Sequence, residues 1–194
     1  MKEDILEQLV DEYLQHKGYF TRHNIKFRPR ADHIDFESKL DSNHSDIDVV
    51  GFNPKLKGAE RVLAVSCKSW QSGFRPESKI SEIEGNKIVN GREAWKGFRE
   101  LVMPKWSEAF SQAIYDCCGE NKFTYVTAVT VVKGDSSIWE NNPKFMEVIG
   151  NPIKLISFSD ILSELYGDLN TTVAASNVGR MLQLLKASGW LKNA

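Results

Sequence analysis

The sequence predicts an α/β (α+β) protein with a central mixed β-sheet flanked by helices and a small helical extension at the C-terminus. Three observations carry that prediction. Apolar residues recur at helical spacing near both ends of the chain, β-branched runs lie between them, and the order is helix, three strands, helix, strand, then a strand running into a helix. With 194 residues, 41% of them hydrophobic, the chain is long enough to bury a real core.

The first helix rests on Ile5, Leu6, Leu9, Val10, Tyr13 and Leu14, with Glu7, Asp11 and Gln15 off the stripe and Gly18 placed to stop it. GYFTRHNIKFRP follows as a strand rich in aromatic and β-branched residues, bounded by Pro29, and the polar stretch DFESKLDSNHS is expected to be loop. DIDVVGF is the second strand. Asn53-Pro54 and Gly58 mark the turn that pairs it antiparallel with the third, RVLAVSCKSW. Period-two alternation sets Asp46, Asp48 and Val50 on one face of the second strand, and Val62, Ala64, Ser66 and Lys68 on one face of the third. Polar residues thus emerge together at the end of the paired strands.

From Gly73 to Gly97 the chain is polar and irregular, with a short helix expected at ESKISEIEG. A clearer helix runs from Pro104 to Cys118 on a stripe of Trp106, Phe110, Ala113, Ile114 and Cys117. FTYVTAVTVV reads as a long strand, and KLISFSDILSELYG as a strand running into a helix capped by Ser159 or Asp160. SNVGRMLQLLKASGW is a last helix, capped by Ser176, stopped at Gly189 and expected to pack on the core or on a partner. The division expected is a main domain over residues 1–165 and a helical C-terminal extension over 166–194.

The formal net charge of -1 gives no global positive field, so any polyanion would need a local basic surface. Cys67, Cys117 and Cys118 lack the paired spacing that clamps zinc and are expected to be reduced thiols. The four histidines form no ligand spacing either, and only His44, just before Asp46 and Asp48, is placed to reach a site there. MKEDILEQLV is charged and amphipathic, and no run of eighteen apolar residues occurs, so a cytoplasmic protein without a membrane partner is expected.

Two strand residues demand a reason. Lysine is almost never buried without a partner, and Lys68 follows a run of apolar residues. Aspartate is disfavoured inside a strand, yet Asp48 interrupts one. Ser66, two residues before Lys68, belongs to no Gly-x-Ser-x-Gly elbow or Ser-x-x-Lys motif, which argues against a serine nucleophile.

A glutamate on the first helix, an aspartate on the second strand and Ser-x-Lys on the third together resemble the PD-(D/E)XK nucleases, the restriction endonuclease-like superfamily, over roughly residues 1 to 165. Glu7 stands eleven residues before Gly18-Tyr19, similar to the helix-one metal-site glutamate of many Holliday-junction resolvases. Asp48 matches the strand-two magnesium ligand, with Asp46 as second choice. Lys68 matches the lysine of the Glu-x-Lys or Asp-x-Lys motif, while Ser66 stands in place of its acid. In enzymes that cut sites containing CCGG the motif becomes Ser-x-Lys and the acid moves to a later helix. Here Glu82 follows Lys68 after thirteen intervening residues, with Glu84 close by.

The resemblance implies a restriction endonuclease-like core and a metal-dependent nuclease that hydrolyses DNA phosphodiester bonds, in a restriction, repair or defence setting. Catalytic residues would be Asp48, Lys68, Glu7, Ser66 and Glu82, with Mg2+ (or Mn2+) held by Glu7, Asp48 and Glu82. Lys26, Arg28 and Arg30 alternate at the end of the first strand and would project to one side if it continues, and Arg75 and Trp70 lie around the proposed site, so DNA is expected to meet Arg28, Arg30, Trp70 and Arg75; duplex cleavage by the fold that the resemblance implies commonly uses a homodimer. Plainer readings stand beside these. Glu7 could be the solvated side of an amphipathic helix, and Glu82 could share a solvated face with Glu77 and Glu84. For the whole chain, the alternative is a degenerate nuclease fold serving as a nucleic-acid-binding or structural subunit.

Overall fold

The structure, a computed structural model, describes residues 4–169, 173–174 and 176–190. Helix α1 (Ile5–His16) is capped by Asp4, whose side chain accepts the Leu6 N–H, and it buries Leu6, Leu9, Val10, Tyr13 and Leu14. The chain leaves it through Gly18, at φ 83°, into β1 (Phe20–Phe27). The stretch read as loop includes one short helical turn, α2 (Ser38–Asp41). It exists because buried Asp41 accepts bonds from the Glu37 N–H, the Trp106 indole at 2.9 Å and the Lys105 ammonium at 2.7 Å.

β2 (Ser45–Phe52) and β3 (Val62–Lys68) follow, then α3 (Pro76–Glu84), which includes most of the short helix expected there. A two-stranded hairpin, β4 (Ile88–Val89) and β5 (Arg92–Glu93), turns through Asn90 and Gly91, both at positive φ. The sequence carried that signal as Asn-Gly between two short runs. The short α4 (Arg99–Val102) leads into α5 (Pro104–Cys118). β6 (Thr124–Val129) is shorter than the run suggests, because beyond it the chain leaves the sheet and bridges Val132 to Phe74. Then come α6 (Ser137–Glu140), α7 (Pro143–Ile149), β7 (Ile153–Ser157), α8 (Phe158–Asp168) and α9 (Asn177–Ala187).

The α8 cap is Ser157, two or three residues earlier than expected. Its hydroxyl accepts the Asp160 N–H while the Asp160 carboxylate takes the Ser157 N–H, a reciprocal capping box that leaves Ser159 outside the pair of backbone bonds. The boundary expected at residue 165 falls inside α8, where Leu165 is buried.

The five main strands form one mixed sheet in the order β1-β2-β3-β6-β7, antiparallel across β1, β2 and β3 and parallel across β3, β6 and β7. One face meets α4, α5, α6 and α7 around Trp106, Phe110, Tyr125 and Trp139. The other meets α1, α8 and α9 around Leu9, Val49, Val65, Val126 and Ile161. Among the described residues no helix is long and apolar enough to cross a membrane.

Helix α9 docks on α1 through buried Glu12, which accepts the Ser176 N–H at 2.8 Å. Gly179 is required by that approach, since a Cβ there would lie 2.5 Å from the Glu12 carboxyl carbon and 2.7 Å from the Ala174 Cβ. Gly to Ala in an open helix gains about 1 kcal/mol. Gly179→Ala is therefore expected to reverse that sign and lower the urea unfolding midpoint, as read by circular dichroism.

Candidate functional site

The site begins where β2 and β3 stop pairing. Their ladder runs from Phe52↔Val62 to Val49↔Val65 and ends there, so Asp48 and Ser66, next in register, stand at the opening between the strands. The Asp48 carboxylate fills it by accepting the Cys67 N–H at 2.6 Å. On the other side of β2, Asn24 faces Asp48 across the β1 register with φ at 53°. Strict alternation fails here as well. Ile47 and Val50, three apart, both enter the core cluster with Trp106, whereas Val49 enters the other one. Asp46, Asp48 and Val50 therefore do not form the single regular face that period two predicts.

Three elements bring charge to this opening. From α1, half-buried Glu7 has its carboxyl pushed up first by burial, then by Asp48 and Asp4, with His23 pulling the other way. From β2, Asp48 is pushed up by burial, while Lys68 and the Cys67 N–H oppose the rise and Asp46 and Asp4 add to it. From β3 comes Lys68, whose ammonium donates to Ser66 Oγ at 2.8 Å and lies 5.4 Å over the Phe98 ring. Asp4 ties α1 to the same place by accepting the Ser69 hydroxyl at 2.7 Å.

A further buried acid whose charge is felt at this opening is Glu100, on α4. Its buried carboxylate accepts the Tyr125 hydroxyl at 2.6 Å. Burial pushes the Glu100 carboxyl up, the Tyr125 bond and Lys68 act against that, and Asp48 adds to it. Burial likewise lifts the Tyr125 hydroxyl well above its ordinary range. Glu82 lies elsewhere. It is ion-paired with Lys79 and is not among the charges that act most on Glu7, Asp48 or Glu100.

The four residues expected to contact nucleic acid fall into two places. Trp70 and Arg75 line a cavity of about 690 Å3 between α3 and the β4–β5 hairpin, with Lys79, Glu82 and Arg92. Trp70 links it to Lys68, since its ring stacks on Phe74 and meets Phe98 edge-on at 6.1 Å. Phe74 is buried and packs on Phe98 and Trp139 rather than facing the cavity. Arg28 and Arg30 line a separate cavity of about 400 Å3 with Lys26, His33 and His44. β1 ends at Phe27, so the alternation of Lys26, Arg28 and Arg30 does not continue as a strand, and Arg30 is instead clamped by both oxygens of Asp32. His44 therefore lines the second cavity, and the histidine whose charge bears on Glu7 is His23.

The donor chemistry suits a hard divalent cation. Asp48 and Asp4 push the Glu7 carboxyl up, and Asp46 and Asp4 push Asp48 up, so a cation held there would relieve a repulsion carried by the folded chain. Among the described residues no three His, Cys, Asp or Glu side chains are grouped so as to hold an ion alone. Mg2+ commonly takes only one or two carboxylates and completes its shell with waters and phosphate oxygens. The chain matches no protein-family model, no curated protein and no solved structure.

Tyr125 and Glu100 were the residues that sequence reasoning missed. A buried tyrosine needs a hydrogen-bond partner, and Glu100 sits between Phe98 and Leu101, both of them core residues, which is a poor address for a solvated acid. Because the Asp48 carboxyl is raised, the folded chain binds more protons than the unfolded chain between the ordinary value of 3.8 and the raised one. Its charge therefore costs stability as pH climbs through that window. Asp48→Asn, which keeps an acceptor for the Cys67 N–H, is expected to raise the urea midpoint at pH 7, with the gain vanishing below the ordinary aspartate range.

Proposed function

We propose that the protein is a metal-dependent nuclease of the PD-(D/E)XK type, with a restriction endonuclease-like core, that hydrolyses DNA phosphodiester bonds. The observation that supports this best is the approach of Glu7, Asp48 and Lys68 from three separate elements to the point where β2 and β3 part. Lys68 and Asp48 interact without forming a direct ion pair, as a degenerate pair of former catalytic residues would.

In this reading Glu7 and Asp48 would hold Mg2+ (or Mn2+), which supplies charge neutralisation at the phosphoryl oxygens and an acidified water. The ammonium of Lys68 has three donors. Ser66 accepts one, leaving the others to orient the attacking water and to meet the negative charge that develops on phosphorus-bound oxygen. Water oxygen bonds to phosphorus, the bond to the leaving ester oxygen breaks, the attacking water gives up its proton to solvent and the departing oxygen takes one from solvent. Ser66 serves Lys68 and is not a nucleophile. Glu82, engaged by Lys79, belongs to the cavity wall.

DNA would run through the cavity of Trp70 and Arg75, which adjoins Lys68, rather than past Arg30, whose charge Asp32 already satisfies. Within that cavity Lys79 pairs with Glu82 and Glu93 pairs with Lys96, so Arg75 and Arg92 provide the uncompensated positive charge.

Two tests follow. Plasmid, branched and single-stranded DNA are incubated with magnesium or manganese beside Asp48→Ala and Lys68→Ala; metal-dependent cutting is expected from the natural chain and loss of about a hundredfold or more in each variant. Cutting retained by either variant would sink the mechanism, and no cutting by folded protein would favour a binding or structural subunit. In the second test, anisotropy of a labelled oligonucleotide without divalent metal is expected to show several-fold weaker binding for Arg75→Glu and unchanged binding for Arg30→Glu.

A further inference from the structure

The cavity between α3 and the β4–β5 hairpin carries an aromatic ring that the core does not need. Beneath it Phe74, Phe98 and Trp139 close the core on one another, each of them 1% exposed or less. Trp70 lies on top of that set, stacked on Phe74 at 6.0 Å, and stays 36% exposed. Phe74 covers the ring from the core side, and the other face belongs to the cavity. The turn that carries the ring is fixed directly to the strand end, because the Trp70 N–H donates to the Lys68 carbonyl at 2.8 Å and the Gly73 N–H to the Trp70 carbonyl at 3.1 Å.

On the cavity side the Lys79 ammonium stands 4.7 Å from the ring centroid. Lys79 is paired with Glu82 one turn along α3, and an ion pair between neighbouring positions of a helix surface is weak. Rotation of the lysine side chain is enough to uncover the ring. The unbalanced charge around it is positive. Glu82 is taken by Lys79 and Glu93 by Lys96, whereas no carboxylate pairs with the exposed Arg75 or Arg92 among the described residues.

A flat ring face beside two exposed guanidinium groups is what an unpaired nucleotide requires, since its base stacks on an aromatic ring and its phosphates meet cations. A closed duplex cannot use the ring. Its bases are stacked on one another and show only their edges in the grooves, so a ring set in a cavity of about 690 Å3 meets a base face only when that base has left the stack. The volume itself is in the range that encloses one small ligand, not two paired strands.

We propose that this cavity is a site for one unpaired nucleotide of a DNA strand, with its base on the Trp70 ring in place of the Lys79 ammonium and its phosphates on Arg75 and Arg92. The proposal rests on the reading of DNA as the partner and sharpens it: the strand that passes Lys68 is single, as a free strand or as an unpaired stretch within a duplex.

The test follows the anisotropy of labelled oligonucleotides on the full chain without divalent metal. Three probes of one length are compared: a single strand, the blunt duplex of the same sequence, and a strand of abasic residues that keeps the phosphates and lacks the bases. The single strand is expected to bind about tenfold more tightly than the abasic strand and several-fold more tightly than the duplex. Trp70→Ala is expected to bring the single strand to the abasic level while leaving the abasic strand unchanged, and Trp70→Phe, which keeps a ring face, to retain most of the difference. Loss of packing alone would weaken both strands together. Where Trp70→Ala does not fold, the three probes on the natural chain decide. An abasic strand or a duplex that binds at least as tightly as the single strand overturns the proposal. So does thymidine monophosphate that displaces the single strand at the strand's own Kd, which would make the cavity a free-nucleotide site. The two readings fail separately: metal-dependent cutting without base dependence keeps the nuclease and removes this site, and base dependence without cutting does the reverse.

Discussion

The loss of pairing between β2 and β3 beyond Val49↔Val65 is the constraint on which the rest of the site depends. An unpaired N–H at Cys67 has to be met, and the Asp48 side chain, one position off its register, meets it, so a carboxylate is drawn into a strand where it would otherwise be unwelcome. β3 keeps its extended form because its other edge is fully engaged, from Leu63↔Thr124 to Lys68↔Val129. One side of the strand is thus rigid and the other bare, and Ser66 and Lys68 sit on the bare side's end. The raised carboxyls of Asp48, Glu7 and Glu100 are the energetic trace of that arrangement, charge concentrated where burial and like neighbours oppose it.

Each helical layer delivers one acid to these strand ends. α1, packed against Val49 and Val65, carries Glu7, and α4, packed in the opposite layer with Phe98 and Leu101, carries Glu100. The site is therefore a product of both cores. Disturbing either layer moves one carboxylate relative to a pair, Asp48 and Lys68, that belongs to the sheet itself.

The strands, the long helices and the antiparallel pairing of β2 with β3 were legible because period two and period 3.6 leave a direct mark on apolar spacing. Glu7, Asp48 and Lys68 were legible as anomalies or as spacings within those elements. Glu100 was not, since α4 is one helical turn without periodicity and its place within reach of the Lys68 charge is made by packing across thirty-odd residues of intervening chain. Arg28 and Arg30 were placed by extending a strand that the structure ends at Phe27, and the preference for Ser159 or Asp160 as a cap overlooked that Ser157 could bond Asp160 in both directions. The β4–β5 hairpin did have its Asn-Gly sign, muted because each strand has only two residues.

That hairpin gives the large cavity walls of unequal stiffness. On one side its wall is Trp70, which rests on the interlocked aromatic set of Phe74, Phe98 and Trp139 in the main core. Its rim at Val89, Asn90 and Arg92 belongs to a ribbon of two short strands outside the main sheet, a unit with little stability of its own. Compliance is then concentrated on the hairpin side of the cavity, while the Trp70 side is tied to the main core. The width of the cavity can therefore change without changing the geometry at the strand ends.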